Sequence, residues 1–112
     1  MVSQASSQAE ISLHKNDCLL VTGSLDFTSV PVLLSNVKKL FKQSLTRTNT
    51  QDINIDLAKV THSNSAGIAF LLELNRLCYG ANRRLRIKNM SEQMQIMARV
   101  HGVDVPLTAM SA

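Results

Sequence analysis

Apolar and polar residues alternate along Glu10–Lys15, where Ile11 and Leu13 stand between polar neighbours, and again along Asp52–Leu57, where Ile53, Ile55 and Leu57 alternate with Asn54 and Asp56. A period of two is the signature of a half-buried strand. Cys18–Thr22 is a second Leu- and Val-rich run, and the Asn16-Asp17 turn before it predicts an opening hairpin. Gly23 to Phe27 reads as a break. Beyond it the period lengthens: Val30, Val32, Leu33, Leu34, Val37, Leu40 and Phe41 recur at helical spacing, with Lys38, Lys39 and Lys42 on the other side. Asp26 or Thr28 can cap this helix, Pro31 falls early where a missing N–H costs little, and the helix is expected to end near Leu45. A polar loop over 46–51 precedes the Asp52–Leu57 strand. Later, Leu85 and Ile87 predict a fourth strand. Ser91 caps a third helix that Gly102 stops, with Met94, Ile96, Met97, Ala98 and Val100 as its apolar positions.

The segment from Asp56 to Leu72 organises the rest. A short polar loop is expected after Leu57, ending in Asn64-Ser65, and either residue can cap the helix that runs on to Cys78, with Gly80 as its C-cap. Such a turn presents a serine hydroxyl beside the partly positive end of a helix, where a phosphate or a partner's acidic group is stabilised. At about 100° per residue, Phe70, Leu71, Leu74, Leu77 and Cys78 share one broad side. Glu73 and Arg76 mark the opposite side, with Ala66, Ala69 and Leu72 beside them. A partly apolar outer face next to a serine cap predicts a docking surface centred on Leu72.

The element order is ββ-α-β-α-β-α, an α/β fold in which strand–helix–strand crossovers imply parallel pairing. The chain of 112 residues fits one domain. Residues 1–8 are expected to form a loose tail, 9–107 the domain and 108–112 a frayed end. The first nine residues lack the apolar core of a signal peptide. The longest unbroken apolar run, Ala66–Leu72, is far short of the ~20 residues that span a bilayer. Direct membrane insertion is not expected. Cys18 and Cys78 both read as buried, reduced thiols, which fits a cytoplasmic protein.

Net charge is +4, and the basic cluster is Arg83-Arg84-Leu85-Arg86-Ile87-Lys88. With one Tyr and three Phe to stack on bases and no nucleic-acid motif, it reads as the solvated face of an edge strand. No nucleic-acid partner is expected. The four glycines, at 23, 67, 80 and 102, cannot write a P-loop or a GxGxxG. His14, His62 and His101 are scattered without ligand spacing, so neither a metal nor a cofactor is expected. A Ser65–His62 pair lacks both the GxSxG elbow and a carboxylate placed to orient the histidine, which argues against an enzyme.

Gly23-Ser24-Leu25-Asp26, Asp56-Leu57-Ala58-Lys59-Val60-Thr61 and Asn64-Ser65-Ala66-Gly67-Ile68 resemble the motifs of the STAS domain (sulphate transporter and anti-sigma factor antagonist), over roughly residues 9–107. The family shows G-E-L-D, D-L-S-x-V and D-[ST]-x-G-[LI] at these places; here Ser24 replaces the Glu, and Asn64 the Asp before the acceptor. The resemblance implies a small module with a mixed four-stranded sheet that binds other proteins without catalysis. In anti-sigma factor antagonists the serine at the place of Ser65 is phosphorylated by a kinase-like partner. In the STAS subunit of Mla-type phospholipid-transport ABC complexes a threonine usually stands there and the module docks on the cytoplasmic ATPase. The resemblance therefore implies an accessory subunit supporting an ABC ATPase in maintaining outer-membrane lipid asymmetry, held at the inner face of the inner membrane by its partner. An anti-sigma factor antagonist regulated at Ser65 is the alternative. The expected contact residues are Asp26, Asn64, Ser65, Ala66, Ala69, Leu72, Glu73 and Arg76.

Overall fold

The computed structural model describes residues 9–15, 17–43 and 52–103. The expected tail at 1–8, the loop at 46–51, the last residues of the first helix and the chain end beyond 103 lie outside them. The elements are β1 (Glu10–His14), β2 (Cys18–Leu25), α1 (Ser29–Gln43), β3 (Asp52–Ser63), α2 (Ser65–Gly80), β4 (Arg84–Lys88) and α3 (Glu92–Val100). They follow the order the hydrophobic pattern predicts. The strands form one mixed sheet ordered β1-β2-β3-β4, with β1–β2 antiparallel and both β2–β3 and β3–β4 parallel.

Each parallel step moves the same way across the sheet, so right-handed crossovers place α1 and α2 on one face. Burial agrees. Leu19, Val21, Ile53, Ile55, Leu57, Leu85 and Ile87 point under the helices and are buried, while Ser12, His14, Leu20, Asn54, Arg84 and Arg86 line a face no described helix covers. α1 packs on β1, β2 and α2, and α3 packs on α2. Leu33, Val37, Phe70, Leu71, Leu74, Met94 and Ala98 close the single core. Cys78 belongs to it, but Cys18 lies on the uncovered sheet face and is only half-buried, contrary to expectation. On α3, Ile96 and Val100 are exposed rather than core-facing, and Met94 and Ala98 make the inner stripe.

β3 is twice the length its alternation indicates. Its second half, expected as loop, stays in the sheet through Ser63 because two register shifts let it run one residue ahead of β2 each time: Leu20 pairs with Asp56 but Thr22 with Lys59, and Gly23 with Val60 but Ser24 with His62. Each extra residue interrupts the in–out alternation. The first is held by Asp56, whose Oδ1 accepts the Ala58 N–H (2.9 Å), and Gly23 opposite the second has φ +90°, a value that L side chains rarely adopt. β2 correspondingly continues to Leu25 where a break was expected.

Both C-terminal turns close in the same way. After α2 the Arg83 N–H reaches the Cys78 carbonyl (2.8 Å) and the Asn82 N–H that of Tyr79 (3.0 Å), with Asn82 at φ +60°. After α3 the Val103 and Gly102 N–H groups reach Ala98 and Arg99, with Gly102 at φ +73°. These are Schellman motifs. The left-handed position after α2 belongs to Asn82, not to the expected Gly80, which is the last helical residue. The turn aims Arg83 into the protein, where it donates to Asp17 (2.6 Å) with both side chains more than nine-tenths buried. Arg83 is therefore not part of a solvated basic face. Arg84, Arg86 and Lys88 remain on the open side, Arg84 bridging to Asp52 (3.2 Å).

Candidate functional site

The ends of β2 and β3 lie side by side at the C-terminal edge of the parallel strands, Leu25 against Ser63, and the Asn64 N–H donates to the Leu25 carbonyl (3.1 Å). Two loops leave from there, each turning directly into a helix. Open α/β sheets place their ligand-contacting loops at this edge.

In the first loop Asp26 is the helix cap. Its Oδ1 accepts from the Thr28 and Ser29 N–H groups (2.9 and 2.8 Å), and the Asp26 N–H donates in return to Ser29 Oγ (3.0 Å). This reciprocal pair is a capping box. The Ser29 hydroxyl donates to the Ser24 carbonyl (2.7 Å), tying the cap to the strand. The Ser29 N–H does most to hold the Asp26 carboxyl below its ordinary value, with Thr28 and the nearby His62 adding to it. One residue beyond this anchor stands Phe27, 71% exposed. Val32 on the first turns of α1 is exposed as well. A large aromatic side chain presented to water from a rigidly capped loop is the feature of the edge that hydrophobic patterning missed. Phe27 falls outside any periodic run, and a lone aromatic in a loop carries no signal of its own.

In the second loop Asn64, not Ser65, is the N-cap. Its backbone is extended (φ −109°, ψ −165°) and its Oδ1 accepts the Ala66 N–H at 2.8 Å. The Ser63 hydroxyl and the Gly67 N–H both donate to the Asn64 carbonyl (3.0 and 2.9 Å). Gly67 is required by this packing: a Cβ there would collide with Ser63 Oγ and lie 3.2 Å from the Leu25 Cβ. Ser65 is the first helical residue. It is half-exposed, and its hydroxyl has no hydrogen-bond partner among the described residues. The first turn of α2 carries no acidic side chain, so the positive end of the helix is left for something else to neutralise.

From Ser65 a stripe of accessible positions descends the helix through Ala69, Leu72, Glu73 and Arg76. Glu73 accepts both the Arg76 Nε (3.1 Å) and the same guanidinium's terminal nitrogen, and this hydrogen bonding keeps its carboxyl below the usual range. Two expectations for this face are corrected. Ala66 is 4% exposed, because it heads the core stripe that continues at four-residue intervals through Phe70, Leu74 and Cys78. Leu72 is half-buried and packs against the core, so it borders the surface and is not its fully exposed centre. Asn64, Ser65, Ala69, Glu73 and Arg76 do lie together on the surface side, with Asp26 across the strand ends. His62 is exposed and makes no hydrogen bond to Ser65.

The fold and this edge define a small α/β module built to present two capped loops. A solved structure of similar shape is that of the anti-sigma factor antagonist SpoIIAA in its unphosphorylated form, with a TM-score of 0.67, 13% sequence identity, and 93% of this chain and 85% of that one covered. At that identity the likeness is one of fold. The sequence also matches, over residues 10–109, the family model described as "Mlab, STAS domain". The chain belongs to the STAS-domain family, whose members are protein-interaction modules. No curated protein matches its sequence significantly.

Proposed function

We propose that this chain is a non-catalytic accessory subunit that docks on the ATPase of a phospholipid-transport ABC complex and supports it in maintaining outer-membrane lipid asymmetry. The family description, which carries the Mlab name, supports that assignment. The observation that carries the docking site is the pairing, at one sheet edge, of exposed Phe27 with the unbonded Ser65 hydroxyl on a helix start lacking any acid. An apolar side chain at the centre and a polar, charge-seeking rim are the arrangement in which a few residues carry most of the binding energy. Ala69, Glu73 and Arg76 extend the contact along α2.

The test is binding to the Mla-type ATPase of the same genome. Phe27→Asp and Ala69→Arg should each weaken association at least about tenfold while leaving the melting temperature nearly unchanged, since a charge at a buried contact centre must be desolvated. Full-affinity binding by both variants would sink the proposal.

A second reading has its own observation. Ser65 is half-exposed and its hydroxyl makes no hydrogen bond among the described residues, which leaves it free to enter a kinase site and supports an anti-sigma factor antagonist switched at Ser65. Incubation with a GHKL-type anti-sigma kinase and ATP should then add one phosphoryl group by intact mass, and Ser65→Ala should abolish the gain.

A further inference from the structure

β1 and β4 are the outer strands of the described sheet, and β1 lacks two of the devices that discourage further pairing. Glu10–His14 contains no proline, and its register with β2 runs from Glu10↔Thr22 to His14↔Cys18 without a bulge. A lysine appears only at Lys15, after the strand has ended. Its residues alternate cleanly: Glu10, Ser12 and His14 are exposed on the open face, and Ile11 and Leu13 are half-buried beneath the helix layer.

This short pattern is complementary to itself. With a second copy running antiparallel about a two-fold axis at Ser12, Glu10 stands opposite the second copy's His14, and the pair occurs twice. On the other face Ile11 stands opposite the second copy's Leu13, also twice, covering apolar surface that α1 leaves half-open. A carboxylate facing an imidazole and apolar side chains facing one another are favourable cross-strand partners in an antiparallel ladder. The neighbouring registers lose this. An axis at Leu13 sets Ile11 against Lys15, and an axis at Ile11 sets Glu10 against Ser12. Register is thus specified by side chains as well as by the backbone. We propose that the chain self-associates through β1, two four-stranded sheets joining edge to edge into one continuous sheet, with a second copy of this chain as the occupant of the edge.

The full chain alone tests this by sedimentation across a concentration series, and it does not depend on any ATPase. A concentration-dependent dimer is expected. His14→Glu should weaken it about tenfold by setting two carboxylates together, and Glu10→Lys should weaken it by removing the carboxylate that faces the second copy's His14. Combining the two substitutions should restore it. In parallel, Ser12→Cys should cross-link across the axis on oxidation, where opposed Cα atoms come within disulfide reach, whereas Ser24→Cys should not. A chain monomeric at all concentrations, or a dimer indifferent to charge reversal and not cross-linked through position 12, would overturn the proposal.

Discussion

The loop before α2 divides its labour between adjacent residues, and substitution can separate them. Asn64 accepts the Ala66 N–H, so Asn64→Ala should cost about 0.5–2 kcal/mol in chemical denaturation. Ser65 makes no such bond, so Ser65→Ala should leave stability almost unchanged and affect only partner binding or modification. Gly67→Ala should destabilise by about 1–3 kcal/mol through overpacking against Ser63. In a Ser63→Ala background, which removes the colliding oxygen, the same change should cost much less, the signature of direct coupling. The two cysteines should also differ. Burial pushes the Cys78 thiol up to about 12, so a thiolate-directed alkylating reagent applied to the native protein should label half-buried Cys18 and spare Cys78. Acid sensitivity belongs to this scale too. Asp56 is held below its ordinary value first by the Asn89 side chain and then by the Ala58 N–H, and Asp26 by Ser29. A depressed carboxyl contributes stability above its unfolded value of about 3.9 that is lost as the pH falls below it. Melting temperature should decline below about pH 4, and less so in Asp56→Asn than in the parent chain.

At the scale of elements, what the sequence reveals depends on whether a single period persists. α1 and the first half of β3 keep theirs and are legible. The second half of β3 is not, because each of its two irregularities shifts every following side chain to the other face, and Ala58 to His62 then reads as loop. The inner stripe of α2 is legible for the same reason as α1, yet the helical projection sets Ala66 outside it, whereas the structure makes Ala66 its first buried member. Arg83 shows a different limit. A run of cations looks uniform in sequence, and only the left-handed Asn82 turn separates the one that points inward from those that stay in solvent. Arg83 joins the α2–β4 turn to the β1–β2 turn, whose Asp17 carbonyl also accepts the Asn54 N–H (2.9 Å). Arg83→Ala should therefore cost about 3–5 kcal/mol, as expected when one member of a buried ion pair is removed, whereas Arg84→Ala at an exposed pair should cost under about 1 kcal/mol. Urea denaturation of the two variants checks the contrast.

For the whole molecule, the family motifs point to the edge proposed for docking, while hydrophobic patterning points only to its scaffold. Ser65 stands out in sequence because it sits at a strand-to-helix junction; Phe27 does not, since its proposed role depends on lying two residues beyond Leu25, which the sheet brings against Ser63. That juxtaposition has a consequence for how a bound partner would be felt. The same capping box that holds Phe27 out in solvent also starts α1, the helix roofing the β1–β2 side of the core. A protein gripping Phe27 holds the capped turn from which α1 starts. By mass action it must stabilise every conformation in which that first turn is intact. Occupancy at the edge should then appear as slower amide hydrogen exchange along α1, well beyond the footprint of contact, and least of all in α3 on the far side of α2.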